Sequence, residues 1–539
     1  MTRAAAPSAP PQTIREERLA RDGKRKRSAA HPEVNPLREG LRLERVPDPH
    51  VMVLFGATGD LSHRKVIPAL AQLWRTNLLP SDWALVAIGR RPYDEGTFRM
   101  DLAESLHKHC RVQLDEETER QFLDRVFYHR GDFGDDAMYD SLSEKLEGLH
   151  VEQATAHNLL FYLATQPSAF PTIVGELGRV GLDHEKHDGG WRRIVIEKPF
   201  GRDLDSARKL NREVLRVFRE SQVYRIDHYL GKETVRNLMV FRFGNGIFEP
   251  LWNRRYVDHI QITVAESIGI EERGSFYEET GAVRDVFQNH LLQLLSLVAM
   301  EPPATFAADA LRDEKLKVLR ACGPPTRQEI TRDVVRGQYG PGWVGGQPVK
   351  GYREEEEVDP QSETETFVAA RLEIDDWRWS GVPFYLRTGK RLARRASEIA
   401  IQFRDVPHRL FAESSTDPQP NLLAIRIQPD EGILLRFGSK VPGLGLEIRP
   451  VTMDFTYGTA FSVDAPDAYE TLLLDAMLGD QSLFTRADEV EAAWAIATPI
   501  LDGWLDMPAP DFPSYAAGAW GPAEADDLIE RDGRRWRRL

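Results

Sequence analysis

His290 closes the run Gly281-Ala-Val-Arg-Asp-Val-Phe-Gln-Asn-His290 and leads into Leu291-Leu292-Gln293-Leu294-Leu295. Imidazole takes a proton more readily near neutral pH than any other side chain, so it suits a hydroxyl group that must lose its proton as a hydride departs. Val283, Val286, Phe287, His290, Leu294 and Leu297 fall close to one helical stripe. That puts His290 at the margin of a buried face, where a satisfied core histidine is the commoner occupant. A base of this kind needs a carboxylate to orient the ring, and Asp227 is the candidate. Asp227 opens Asp227-His228-Tyr229-Leu230-Gly231-Lys232. Imidazole, phenol and ammonium beside a glycine turn are the donors an anionic phosphate wants, and they also make an ordinary polar helix start. Lys198, in Glu197-Lys198-Pro199-Phe200-Gly201, follows an apolar run and has a proline fixing the chain behind it. It suits a bridge between two ligands, or a surface lysine beside a turn. Lys390, in Arg387-Thr-Gly-Lys390-Arg391, belongs to a cationic turn that fits a phosphate or a solvated loop.

The elements that must position these groups begin at residue 51. Val51 to Phe55 reads as a short buried strand, Gly56 ends it, and Gly59 and Asp60 lead into a segment with apolar residues at helical spacing (Val66, Ile67, Leu70, Leu73). A strand turning on glycines into a helix aims free N–H groups at its opening, and the helix dipole favours a pyrophosphate there. The spacing is a shortened G-x-x-G form of the dinucleotide fingerprint, which on its own also fits a tight strand–helix turn. The next strand, Trp83 to Gly89, ends in Arg90 and Arg91. An acidic residue at that tip favours NAD and an arginine favours the 2′-phosphate of NADP, so NADP is expected. Strand and helix alternate to about Asp227, which predicts a parallel sheet over residues 48–227. From 228 to 539 the runs Val257–Ala265, 366–374, 398–403, Leu422–Gln428, 432–437 and 446–455 cluster with few helices between them, among these 281–300 and 469–478. This predicts an α+β region with a large, mainly antiparallel sheet.

The chain has 539 residues and a formal net charge of −14, enough for two domains and against a general nucleic-acid binder. Its two cysteines, Cys110 and Cys322, have no metal-ligand spacing and suit a reducing, cytoplasmic setting; no metal ligands are assigned. No apolar run reaches the roughly 20 residues of a membrane helix. Residues 1–47, with the basic run Lys24-Arg25-Lys26-Arg27, carry few large apolar residues and read as a disordered arm.

FGATGDLSHRK, IEKPFG, YRIDHYLGKE, FEPLWNRRYVDHIQITVAE, GAVRDVFQNHLLQ and VPFYLRTGKRL stand in this order between residues 51 and 510. In these stretches the chain resembles the glucose-6-phosphate dehydrogenases. The resemblance implies a Rossmann-like coenzyme domain, a β+α domain whose extended sheet supports a homodimer or homotetramer, and oxidation of β-D-glucose 6-phosphate by NADP⁺ at the head of the oxidative pentose phosphate pathway. It makes His290 the general base paired with Asp227, and it puts His228, Tyr229, Lys232 and Lys390 on the sugar phosphate. Lys198, Glu266 and Asp285 fall on sugar hydroxyls, with Lys198 also near the nicotinamide. Gly56, Thr58, Gly59, Asp60, Leu61 and Lys65 line the coenzyme turn, Arg90 meets the 2′-phosphate, and Pro199 matches a cis proline. Thr165-Gln166-Pro167 departs from the family's proline pair, and the partners of a second, structural NADP are not clearly matched, so that site stays unassigned. A different hexose phosphate, NAD as the main coenzyme, or a non-catalytic NADP-binding protein are the other readings.

Overall fold

The computed structural model describes residues 46–153, 155, 157–185, 190–408, 410–411, 419–458, 465–508 and 510–539. The arm expected at 1–47 lies outside them except for its last two residues.

Six strands form the first sheet: β1 (His50–Phe55), β2 (Trp83–Gly89), β3 (Val126–Arg130), β4 (Leu159–Leu163), β5 (Arg192–Ile196) and β6 (Val223–Arg225). Their order is β3-β2-β1-β4-β5-β6 and every pairing is parallel. This is a Rossmann-like sheet. Helices cover both faces, so β1, β2 and β4 are buried along their whole length and read as unbroken apolar runs. The order reverses between β1 and β4, and the crevice beyond their carboxyl ends is where such sheets bind ligands.

The second sheet holds β7 (Val257–Ala265), β8 (Val334–Gly337), β12 (Phe367–Leu372), β13 (Phe384–Gly389), β14 (Ala396–Phe403), β15 (Leu422–Gln428), β16 (Gly432–Lys440) and β17 (Ile448–Thr456). Short pairs β9 (Tyr339–Gly340) with β18 (Tyr515–Ala516), and β10 (Gly342–Val344) with β11 (Gln347–Val349), lie outside it. The order is β17-β16-β15-β14-β7-β13-β12-β8, antiparallel except where β7 runs parallel to β13. In β7, Ile260, Ile262 and Val264 face the main core, while His259, Gln261 and Thr263 point the other way yet are also buried. The chain's C-terminus covers them: Gln261 donates to the Arg535 carbonyl and accepts from the Arg537 amide, each at 2.8 Å. The polar half of that alternation therefore meets protein rather than water.

The stretch expected as one helix over 281–300 is built in three parts. A helix Gly274–Ala282 ends at Gly281 (φ 62°), a π-helical segment Val283–Leu291 follows, and an α-helix Leu292–Ala299 completes it. A Cβ on Gly281 would lie 2.4 Å from a Glu365 carboxylate oxygen, and the same oxygen accepts from the Val283 amide at 3.0 Å. Glu365 thus caps the segment that carries Asp285 and His290. His290, expected at the margin of a buried face, lies on this π-wound segment and is 2 % exposed.

Helices from the end of the chain pack back onto the first sheet's layer. Ala468–Leu478 lies against Ile67–Arg75, and Ala487–Leu505 against Leu204–Leu215 and Ala308–Cys322. Between Ala308–Cys322 and Ala487–Leu505, Lys315 and Glu489 form a fully buried ion pair of 2.8 Å. Truncating one partner strands the other charge in the core, so Lys315→Ala should cost about 3–5 kcal/mol, whereas Lys315→Met with Glu489→Leu should be close to neutral. Denaturant midpoints of the two variants check this; equal destabilisation of both would refute it.

Candidate active site

A cavity of about 610 Å³ opens where the carboxyl edge of the first sheet meets β7, β14 and β15. His228, Tyr229, Lys232, Glu266, Asp285 and His290 line it, and Lys65 stands at its rim. Lys198 and Lys390 sit behind this lining, hydrogen-bonded to it.

Asp227 leaves the end of β6, and His290 comes from the π-helical segment. Asp227 Oδ1 accepts from His290 Nδ1 at 2.5 Å and from the Tyr229 amide at 2.9 Å. With the proton on Nδ1, the Nε2 lone pair is left facing Lys198 Nζ at 3.3 Å. The rings of Tyr229 and His228 hold the imidazole, with centroids 4.4 and 4.5 Å away. Burial lowers the affinity of His290 for a proton, and Lys198 lowers it further against the pull of Asp227, so its pKa lies below the ordinary 6.5 and the ring is neutral at neutral pH. Burial alone would raise Asp227, but His290, His228 and the Tyr229 amide together outweigh it and bring the carboxyl down to about 2. A neutral imidazole beside a fixed carboxylate is the state a base must occupy before it acts. Asp227, His228 and His290 also bring potential metal-ligand atoms within 4.8 Å of one another. The proton shared by the pair and the ammonium of Lys198 both oppose a cation there.

Asp285 holds two lysines. Lys198 Nζ donates to its backbone carbonyl (2.9 Å) and its Oδ1 (3.2 Å), and Lys390 Nζ lies 3.0 Å from its Oδ2. Lys390 also pairs with Glu266. Burial would raise Asp285, but Lys390 and Lys198 outweigh it and hold the group well below the usual carboxylate range. Lys390, expected at the sugar phosphate, is thus engaged by two carboxylates. The turn expected at Arg387–Arg391 is for its first half strand, because β13 runs on to Gly389. Arg387 is buried between Trp520 and Trp536 instead of facing a loop.

Two residues with no part in the expected sugar-phosphate site stand beside Lys232: Gln428, which the sequence reading passes over, and Arg395, which it weighs only for the unassigned second NADP site. Gln428 Oε1 accepts from Lys232 at 2.9 Å and from Arg395 at 3.1 Å, and its amide donates to the Tyr229 hydroxyl and to Ser397. A glutamine before a proline at a strand end carries no local signal. Arg395 sits in a visibly basic stretch, so charge clustering could have found it.

At the coenzyme edge, Gly56 (φ 82°) turns the chain after β1, and a Cβ there would lie 2.4 Å from the Ala164 carbonyl oxygen. The glycine is thus required by the neighbouring backbone, beyond any ligand. Thr58, Gly59, Asp60 and Leu61 continue the turn into a helix that starts with π-winding over Ser62–Val66. Arg90 is exposed just past β2. Lys65 reaches across the cavity rim to Asp467 at 3.0 Å. The Lys198–Pro199 bond is cis.

A parallel sheet with a glycine turn, opening on a buried imidazole–carboxylate pair, defines a dehydrogenase of the dinucleotide-binding class. The match to known families is more specific: residues 53–237 fit the glucose-6-phosphate dehydrogenase NAD binding domain, and residues 239–537 the C-terminal domain of the same family. The chain is 48 % identical over 505 residues to a glucose-6-phosphate 1-dehydrogenase of Chlamydia pneumoniae, covering 93 % of this chain and 98 % of that one. It is 48 % identical over 509 residues to glucose-6-phosphate 1-dehydrogenase 2 of Mycobacterium tuberculosis, covering 94 % and 98 %. A solved glucose-6-phosphate dehydrogenase in complex with its substrate glucose 6-phosphate superposes with TM-score 0.83 at 36 % identity, covering 92 % of this chain and 99 % of that one. The chain belongs to the glucose-6-phosphate dehydrogenase family.

The buried pair also ties stability to pH. His290 and Asp227 both have lowered pKa values in the folded state, so the unfolded chain binds more protons as pH falls. Their stabilising contribution is complete above about pH 6.5, shrinks first as unfolded histidine protonates, and shrinks again from about pH 4 towards 2 as Asp227 titrates. Asp227→Asn should flatten the lower limb of a melting-temperature profile against pH; an unchanged limb would show that Asp227 does not set it.

Proposed function

We propose that this chain oxidises β-D-glucose 6-phosphate at C1 to 6-phosphoglucono-1,5-lactone with NADP⁺ as coenzyme. The observation that supports this most is the neutral His290 held by ionised Asp227 on the wall of a cavity with a cationic far end.

In this reading the Nε2 lone pair of His290 accepts the proton of the C1 hydroxyl, and Asp227 stabilises the imidazolium that results. Lys198 must then yield its contact with Nε2 to the sugar, which leaves its ammonium, anchored on Asp285, beside the reacting carbon. Glu266 and Asp285, steadied by Lys390, present oxygens to the sugar hydroxyls. His228, Tyr229, Lys232, Arg395 and Gln428 take the phosphate, with Gln428 spacing the two cations.

The coenzyme edge fits a phosphorylated dinucleotide. The glycine turn opens at the switch point of the parallel sheet, and the second strand ends on arginine rather than an acid. Gly56, Thr58, Gly59, Asp60, Leu61 and Lys65 would hold the pyrophosphate end, Arg90 the 2′-phosphate, and Lys198 the nicotinamide side. When bound, NADP⁺ supplies the hydride acceptor.

The domain division is placed at 48–227 and 228–539. A cytoplasmic setting agrees with two free cysteines and with the lack, among the described residues, of any helix long and apolar enough to cross a membrane. A homodimer or homotetramer would cover the outer strand β17, whose Val451, Met453 and Phe455 are exposed.

Reduced-nicotinamide absorbance with glucose 6-phosphate and each coenzyme tests the reading; NADP⁺ binding without NADPH formation would overturn it. His290→Asn should lower kcat by roughly 10²–10⁴-fold with KM for the sugar little changed. Arg90→Ala should raise KM for NADP⁺ about tenfold or more and leave NAD⁺ kinetics nearly unaltered, since each charge-assisted phosphate contact is worth about 1.5–3 kcal/mol. Equal losses with both coenzymes would remove Arg90 from the 2′-phosphate.

A further inference from the structure

Glu197 lies directly before Lys198 at the end of β5 and is only 5 % exposed, yet it has no part in the chemistry above. The Tyr162 hydroxyl of β4 donates to its Oε1 at 2.6 Å, and the Tyr469 hydroxyl is turned to the same carboxylate. Tyr469 belongs to the helix Ala468–Leu478 and lines the cavity.

We propose that Glu197 is a positioning residue that fixes Lys198 relative to His290 and, through Tyr469, makes that placement depend on the helix walling the cavity.

Three observations carry this. First, a buried carboxylate that accepts from Tyr162 of β4 at 2.6 Å and faces Tyr469 of the wall helix holds the backbone of residue 197, and hence the origin of the Lys198 side chain, between β4 and that helix. Burial pushes Glu197 above the ordinary carboxylate range, while Tyr162, Tyr469 and Lys198 draw it back, so the group depends on all three partners. Second, the Lys198 ammonium contacts both Asp285 and His290 Nε2, at 3.2 and 3.3 Å, so displacing its stem moves it off both. Third, the wall helix is tied to the coenzyme half at its other points as well. Its N-cap Asp467 pairs with Lys65, Glu470 with Arg111, and Arg193 of β5 donates to the carbonyls of Ala476 and Met477 at its far end. Of these ties, only the one through Glu197 reaches the residue beside the base.

The inference rests on the role given to Lys198 above, and a mutant cycle on the full-length enzyme separates the two. At saturating glucose 6-phosphate and NADP⁺, Glu197→Gln should lower kcat about tenfold in the intact enzyme, and less than about twofold in a Lys198→Ala background, because a residue acting through Lys198 has nothing left to position. Tyr469→Phe, which removes only a hydroxyl, should give the same pattern with a smaller loss and covers the case in which Glu197→Gln does not fold. Equal fold-losses in both backgrounds, or no loss in the intact enzyme, would overturn the proposal. Wild-type turnover by Lys198→Ala would overturn it together with the role of Lys198, and a wild-type enzyme that forms no NADPH would instead overturn the proposed function.

Discussion

One hydrogen bond joins the two halves of the molecule at the point where they must agree. Asp227 stands at the carboxyl end of the last parallel strand, and His290 on a helix lying over the antiparallel sheet. At 2.5 Å and with both groups almost wholly buried, the contact tolerates little relative movement of the elements carrying it. Removing either partner would leave a buried polar group without its complement, which costs more than the bond itself contributes. The alignment of coenzyme edge and sugar cavity therefore depends on a contact that also sets the charge state of the base.

Around this pair the neighbouring charges are fixed in mutual pairs. Asp285 is fixed by two ammoniums and Lys390 by two carboxylates. His228 is held neutral by burial, with His290 and Lys198 adding to the effect. Asp227 and Asp285 are held ionised and His228 neutral, so they are not the groups that exchange a proton with a substrate near neutral pH.

Much of the framework was legible because each element obeyed one dominant rule. β1 and β2 are continuous apolar runs in a doubly covered parallel sheet, and the helix Ala468–Leu478 carries its capping aspartate in plain view. The site was less legible because its residues answer to partners far away in the chain. Nothing around residue 283 announces a π-helical winding, nor that Glu365, 84 positions beyond Gly281, caps its start, nor that Asp227, His228 and Tyr229 close around His290. Arg387 reads as part of a phosphate-binding turn until Trp520 and Trp536 close over it. Glu266 and Asp285 were reached only through the resemblance, since a lone carboxylate in an apolar run says nothing of the lysines that will flank it.

The cavity must also attract an anion although the chain as a whole carries a net charge of −14. The cations at its rim are not left bare: Lys65 pairs with Asp467 at 3.0 Å and Arg111 with Glu470 at 3.4 Å. Such half-exposed pairs contribute little, about 0–1 kcal/mol. A phosphate offers three charged oxygens and stronger charge-assisted bonds, so it can draw on these cations without a large cost in broken contacts. Lys232 and Arg395 differ, since what stands between them is the neutral amide of Gln428 rather than a carboxylate. Among the described residues neither makes an ion pair at the place where the sugar phosphate is proposed to rest, although Glu431 and Asp467 act on Lys232 from further off, while the rim cations stay paired until a ligand arrives. Local pairing, rather than net charge, decides where an anion settles on this acidic protein.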